Sequence, residues 1–487
     1  MKVLLTGSTG YVGGRLREKL IDDPGISLRL FVRSRKKVPA SYAARAEISE
    51  GDSLKYDSLI EALRGIDTAV YLLHSMGEKG GSYEELDRKS AENFREACIA
   101  SGVKKIIYLG GLGKAGDSSR HLQSRIETGM ILSAKPDKIR TVWFRAAVII
   151  GSGGASYEII RHLVEKLPLM IAPAWLSTKT QPIGINEVVS YLHRAVHMDF
   201  PEDSVIDIGG GILTFKDMLL EAARVLGLKR KIFTVPFFSP RLSSYWLIFI
   251  TPVPFSVASA LVDGLRHETV VENDLARKLF PDIVPQTYEE SFRLASLEEE
   301  EDRIISRWCD SSQSAYCDIT SPEDISSAIF TEKRTADTRG IPEADLFPVV
   351  TSIGGKNGWF SFSFLWKLRG LIDKFSGGAG LNRGRRSVSS LRVGDSIDFW
   401  KVVDLAEGRR LLLLAQMRLP GRAWLEFVVS PGRIGLNAYF IPRGLAGRLY
   451  WYASYPFHIL IFSSMMRSII KQAKARARIN SGKENTL

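Results

Sequence analysis

TGSTGYVG, residues 6–13, follows the apolar run KVLL at 2–5 and opens a stretch of helical periodicity. A strand that runs into a glycine turn and then a helix is the local layout of a phosphate cradle. Gly7 allows the tight turn, Gly10 lets the backbone approach a pyrophosphate, and Gly13 lets the helix pack close to the sheet. The N–H groups of the first helical turn then hold the phosphates. Thr6, Thr9, Tyr11 and Val12 share the loop and are read with the three glycines as cofactor-binding. A tight turn without a ligand is the bland alternative. The strand–turn–helix context, with a second strand following at the right distance, favours the dinucleotide site.

That second strand ends LFVRSRKK, residues 30–37. An acidic residue here would accept hydrogen bonds from a ribose 2′-hydroxyl. Arg33, with Arg35 and Lys36 beside it, suits a 2′-phosphate, so NADP(H) is expected, with NAD(H) as the alternative. The competing reading is a solvated basic turn. Asp52 is expected beside the adenine ring at the end of the third strand. His74 and Ser75, ending the fourth, are expected to face the ribose and nicotinamide.

From Met1 to about Pro201, short apolar strands (KVLLTG, LRLFVR, TAVYLL, KKIIYLG, RTVWFRAAVIIG) alternate with polar-faced helices. Alternation of this kind implies right-handed crossovers and a doubly wound parallel α/β sheet. The stretch LSSYWLIFITPVPFSVASALV, 242–262, is long enough to span a bilayer, but Pro252 and Pro254 interrupt it. A buried pair of short helices in a substrate subdomain is the preferred reading. The acidic run SLEEEEDRIIS, 296–306, and the Ser/Pro/Asp-rich segment after it read as a solvated boundary. From about Ile329 the strands look antiparallel and are separated by glycine turns. Two helical segments precede the last strands and a long apolar segment closes the chain, the pattern of an α+β domain. The expected division is a Rossmann domain over 1–310, with substrate-subdomain elements over about 151–310. A linker over 311–328, a second domain over 329–480 and a disordered tail over 481–487 follow.

The 487 residues are 45% hydrophobic and 25% charged, an ordinary globular composition. Cys98, Cys309 and Cys317 fit neither a disulfide framework nor a zinc pattern, and no metal is expected. A reducing cytoplasm is the simplest setting, and no signal peptide is expected before the first strand. The net charge of +12 is spread along the chain without a nucleic-acid reader motif. A basic surface for phosphorylated cofactors or anionic lipid is the better reading, and no nucleic-acid partner is expected.

TGSTGYVG, EGD (50–52), AENFREACIASGVKKIIYLGGL (91–112), RAAVIIG (145–151) and QPIGINEVVSYL (181–192) together resemble an extended, atypical short-chain dehydrogenase/reductase of the NmrA-like kind. The resemblance covers about the first three hundred residues. It implies an NAD(P)-binding Rossmann domain with a small substrate subdomain after Gly151. Active members of that superfamily use a Tyr as proton donor, a Lys four residues on, and a Ser on the preceding strand. Here the Ser place reads Gly110 and Gly111, and the Tyr and Lys places read His121 and Arg125. No Tyr in the chain is followed four residues later by Lys. His121 could donate a proton and Arg125 could assist it, with Gln123 or Ser124 polarising an oxygen. The alternative is that both lie on an exposed helix near a nucleotide held for structure or sensing. The chain therefore reads as an oxidoreductase of a hydrophobic carbonyl or quinone-like compound, or as a non-catalytic NADP(H) sensor or lipid carrier.

GGKNGWFSF (354–362), LWKLRGLIDKFSGGAGLNRGRR (365–386), VGDSIDFWKV (393–402), MRLPGRAWLEF (417–427) and PRGLAGRLYWYASYPFH (442–458) resemble a domain of unknown function fused behind such Rossmann domains in bacterial proteins. That domain looks like the START-like (SRPBCC) helix-grip type, which implies a hydrophobic ligand. Arg383, Arg385 and Arg386 read either as a head-group site or as a solvated loop. Between Arg448 and Arg467 lie 18 uncharged residues, followed by Arg467, Lys471, Lys474 and Arg478 on one helical face. A packed helix with a basic exposed end is the first reading, peripheral attachment to anionic lipid the second and a transmembrane helix the third.

Overall fold

The computed structural model describes residues 1–74 apart from 36, 37 and 39; 83–113; 116; 119–235; and 255–306 apart from 302. In the second half it describes 328–354, 358–371 apart from 361, 363, 365 and 367, 391–417 apart from 394, and 419–484. The chain divides into two compact units, Met1–Ser312 and Gln313–Leu487.

In the first unit, β1 (Lys2–Thr6), β2 (Ser27–Val32), β3 (Glu47–Glu50), β4 (Thr68–Tyr71), β5 (Lys105–Gly111) and β6 (Arg140–Ala146) join the strand Ser204–Ile208 in a seven-stranded sheet. The spatial order is Ser204–Ile208, β6, β5, β4, β1, β2, β3, and every pairing is parallel. A parallel sheet covered on both faces needs strands that are apolar throughout, which is how β1, β4 and β5 read. Successive side chains of β1 serve opposite cores. Val3 and Leu5 pack with Leu16 and Leu20 of α1 (Tyr11–Ile21), while Leu4 packs with residues of the far face. After α2 (Ala40–Ala43), that far face is covered by α3 (Tyr56–Leu63), α4 (Tyr83–Ala100) and α5 (Arg120–Leu132), through Leu59, Phe94 and Ile126 among others. The order reverses between β1 and β4, and ligands of such sheets lie beyond the C-terminal strand ends at that point.

A separate core forms after Gly151 from α6 (Ala155–Lys166), α8 (Phe215–Val225) and the helix Tyr288–Glu300, around Tyr157, Ile160, Met218, Leu219 and Phe292. α7 (Ile185–His197) instead packs on α1 beneath the main sheet. Its C-terminus receives the Lys105 ammonium, which donates to the carbonyls of Ala195 and Val196 at 2.7 and 3.1 Å, a cation placed against the helix dipole. Of the long apolar stretch 242–262, residues up to 254 lie outside the described ones. The rest belongs to the helix Phe255–Gly264, whose Val262 is buried in the second core.

The second unit is a six-stranded antiparallel sheet in the order Phe330–Asp337, Arg433–Pro442, Gly421–Ser430, Arg410–Ala415, Trp400–Ala406, Ser396–Ile397. The last four in sequence form hairpins at the glycine turns. The first strand crosses to pair with the last. The helices Glu343–Thr351 and Gly444–Glu484 pack on one face through Leu346, Val350, Phe462, Met465 and Ile469. The final helix runs through 481–484, four residues into the stretch expected to be disordered. Residues 485–487, most of the expected linker and Arg383, Arg385 and Arg386 lie outside the described residues. Among the described residues, no helix is long and apolar enough to cross a membrane.

Candidate functional site

At the end of β1 the backbone itself dictates sequence. Gly7 has φ +65°, and a Cβ there would stand 2.4 Å from the carbonyl oxygen of Leu72. A Cβ on Gly13 would stand 2.2 Å from the Gly7 carbonyl oxygen, so α1 can seat this close only with glycine. The Thr6 hydroxyl donates to the Val70 carbonyl and accepts from the Leu72 N–H, both at 3.0 Å, stitching β1 to the exit of β4. Gly10 caps α1 without a side-chain bond, and the first turn carries no acidic residue. These features fit a dinucleotide pyrophosphate: a glycine cradle, an uncapped helix start and no negative charge to repel it.

The loop is braced from behind. Arg17, buried under the ring of Tyr42 at 4.0 Å, donates to the Ser8 carbonyl at 3.1 Å. The Tyr11 side chain lies against the loop at 151–154. A Cβ on Gly151 or Gly154 would lie 2.6 or 2.9 Å from its hydroxyl oxygen, and burial holds the phenol protonated. Arg15 donates to the Ser152 carbonyl and hydroxyl and pairs with Glu298 at 3.0 Å, and Ser306 donates to the Tyr11 carbonyl at 2.6 Å. The acidic run expected to be solvated is therefore part of the brace: Glu298 is an inward ion pair, and Glu299 lies 3.2 Å from Arg161. Burial of Arg15 makes the pair necessary, since an unmatched guanidinium there is costly.

Arg33 is the first residue beyond β2 and is exposed. Beside it the Arg35 N–H donates to Glu50 Oε2 at 2.8 Å; Lys36 lies outside the described residues. Asp52 shapes its own turn after β3. Its carboxylate accepts the Leu54 N–H at 3.0 Å, its carbonyl accepts from Ser58, and Asn93 donates to the next two carbonyls.

The third group lies beyond β4 and β5. The His74 and His121 rings are 4.7 Å apart, centroid to centroid, at 38°. Asp87 of α4 lies 3.4 Å from His74 Nδ1 and accepts from the Ser124 hydroxyl at 3.1 Å. Arg125 donates to the Leu109 carbonyl at 2.6 Å, and the Tyr108 hydroxyl, its pKa pushed up to about 12 by burial, donates to the Arg125 carbonyl. Thus His121 and Arg125 face inward, together with His74; Gln123 is exposed, and Ser75 lies outside the described residues. Burial pulls both histidine pKa values down, that of His121 furthest, with His74 and Arg125 adding to the shift. Both rings are neutral at pH 7. His74 Nε2 and His121 Nδ1 are buried and have no hydrogen-bond partner among the described residues.

The absent serine has a steric explanation. A Cβ on Gly110 would fall 2.4 Å from Trp143 Nε1, and one on Gly111 would fall 2.3 Å from Leu122 Cδ1. Asp87 is the residue the sequence reading missed. It sits in line with Ser90, Ala91 and Phe94 on the buried stripe of α4, and a carboxylate on an apolar stripe is the available signal for a buried polar site.

Among the described residues one cluster could hold a metal ion. Asp23 Oδ2 lies 2.8 Å from His193 Nε2 and 2.7 Å from His197 Nε2. It follows α1 and precedes β2, at the sheet edge opposite the glycine loop, and belongs to no part of the site above.

Residues 7–161 match a family model described as NAD(P)H-binding, and residues 325–465 match one described as a protein of unknown function (DUF2867). Auxiliary protein GraX of Staphylococcus aureus is 26% identical over 168 residues, covering 34% of this chain and 52% of its own. An uncharacterized sugar epimerase, YhfK of Bacillus subtilis, is 30% identical over 119 residues, covering 23% and 53%. The chain spans about half the length of the curated relatives it matches. The crystal structure of Citrobacter sp. triphenylmethane reductase complexed with NADP(H) is similar at 20% identity and a TM-score of 0.49, over 60% of this chain and 99% of that one. The first unit thus contains an NAD(P)H-binding domain built on a parallel Rossmann-type sheet, and the second a region that matches DUF2867.

Proposed function

We propose that the protein is an NADP(H)-dependent oxidoreductase acting on a hydrophobic carbonyl or quinone-like compound. The observation that carries this reading is the pair of unpartnered, buried imidazole nitrogens on His74 and His121, beyond the strand ends next to the glycine cradle. Buried polar atoms are ordinarily satisfied, and orphaned ones beyond the strand ends fit a substrate oxygen. A nicotinamide bound there supplies the hydride. His121, held neutral, hydrogen-bonds the substrate oxygen and polarises it without bringing a formal charge into the site. Asp87 orients His74, and Arg125 adds positive potential where the oxygen gains electron density. Arg33 at the end of β2 favours the 2′-phosphate of NADP(H).

In the second unit, a hydrophobic ligand and a START-like role are supported by the aromatic group Trp359, Trp366, Phe399 and Trp400. The Trp366 and Trp400 N–H groups are buried without partners, while that of Trp359 donates to Asp398 at 2.7 Å. A cytoplasmic setting is consistent with the buried, unpaired Cys98. A second reading, a non-catalytic NADP(H) sensor, is favoured by one observation: the space for a polarising serine is filled by Trp143 and Leu122.

Turnover separates the two. The enzyme reading expects NADPH oxidation with a panel of quinones and aldehydes, abolished in His121→Phe while NADPH affinity stays within about twofold. Absence of turnover across the panel, or full turnover in the variant, leaves the sensor. Arg33→Asp is expected to shift the NADPH-to-NADH affinity ratio by about tenfold or more. An unchanged ratio removes the NADP(H) preference.

A further inference from the structure

We infer that the C-terminal helix docks the protein on the surface of an anionic lipid bilayer. The helix Gly444–Glu484 has two unlike faces. Trp451, Phe462, Met465, Met466, Ile469 and Ala473 are buried; all but Trp451 join the main core of the second unit, and Trp451 stacks on Phe330 and Phe440. At about 100° per residue these positions share one side. Facing away from it stand Leu445, Leu449 and Leu460, exposed by 73, 61 and 61%, while Tyr452 lies on the flank with its ring edge-on to that of Phe330. Phe364 and Leu368 are likewise exposed, on a segment whose Arg369 lies over the ring of Tyr450 at 5.9 Å. Soluble surfaces carry single exposed apolar side chains freely, but a continuous stripe of large ones marks an interaction face.

Charge identifies the partner. Continuing along the same side, the exposed positions become Arg467, Lys471 and Lys474. No acidic residue occurs between Gly444 and Lys483, while Arg448, Arg467, Lys471, Lys474, Arg476, Arg478 and Lys483 are all basic. A protein partner of mixed charge would need acids in return; a sheet of phosphate head groups over hydrocarbon needs none. One face, apolar in its first half and basic in its second, matches that layering: side chains such as Leu449 and Leu460 enter the head-group boundary and the cations lie along the phosphates. The helix lies on the bilayer without crossing it, in keeping with its low apolar continuity. The inference is independent of whether the first unit is catalytic.

Flotation of the full chain with phosphatidylcholine vesicles, with and without phosphatidylglycerol, tests it. Binding is expected only to the anionic vesicles and should weaken with added salt. Lys471→Gln and Lys474→Gln are each expected to weaken it about fivefold. Leu449→Glu with Leu460→Glu should abolish it without altering the circular dichroism or NADPH affinity, because both side chains are exposed. No binding by the parent protein, or binding that survives the glutamate pair, overturns the inference. So does light scattering that shows the glutamate pair turning an oligomer into a monomer, which would assign the face to a second copy of the chain.

Discussion

The glycine loop after β1 and the histidine corner after β4 stand at the ends of neighbouring strands, yet they are specified in opposite ways. The loop is defined by what cannot be there: a Cβ on Gly7 or Gly13 would collide with backbone that has no room to retreat. The corner is defined by what arrives. His74 comes from the exit of β4, Asp87 from α4, and Ser124, His121 and Arg125 from α5. Trp143 and Leu122 fill the space beside them. A backbone requirement repeats wherever the same ligand is held, so its residues stay in a recognisable spacing. A side-chain convergence can be rebuilt from other residues, and the spacing then carries no message.

Three perturbations sharpen that contrast. The largest effect is expected at the loop. Gly13→Ala should lower NADPH affinity about a hundredfold in titration calorimetry, since α1 must move away from the phosphates to admit a methyl group. Affinity within a few-fold of the parent would mean that the loop yields more easily than its geometry says. At the corner, Gly110→Ser should destabilise the first unit by about 2 kcal/mol in urea unfolding without raising turnover, because the new side chain must displace Trp143. A silent or activating serine would show that the corner still has room for the missing group. The smallest effect is in pH. His74 and His121 have pKa values below 6.5 in the folded chain, so below pH 6.5 the unfolded chain takes up protons that the folded one does not. Stability should therefore be flat from pH 8 to 6.5 and decline as the pH falls from 6.5 toward 5. His74→Phe with His121→Phe should flatten that decline, and a decline unchanged in the double variant would place its origin elsewhere.

The parallel sheet was legible because its strands are apolar runs closed by glycines and separated by helices. The hairpins of the second unit were legible because each ends in a glycine turn. The pairing of Phe330–Asp337 with Arg433–Pro442, a hundred residues of sequence away, leaves no local trace. Glu298 shows the same limit: a run of glutamates reads as solvated until Arg15, on α1, is seen to be buried beside it. His121 and Arg125 were nameable only as occupants of expected places. That they turn inward to meet His74 depends on α4 and α5 packing side by side, which no spacing within either helix announces. Tyr11 is a further case: it lies in the motif, but that its hydroxyl comes against the loop at 151–154 has no sign in the spacing.

The hydroxyl of Ser306 on the Tyr11 carbonyl has a practical corollary for anyone dividing the protein. The stretch that matches NAD(P)H-binding proteins stops at residue 161, and the last helix of the first unit stops at Glu300. A fragment cut at either point would leave Arg15 without Glu298, or the first turn of α1 without its outer wall. The shortest piece able to hold a dinucleotide as the intact chain does therefore ends no earlier than Ser306, almost twice as far along as family likeness alone would suggest.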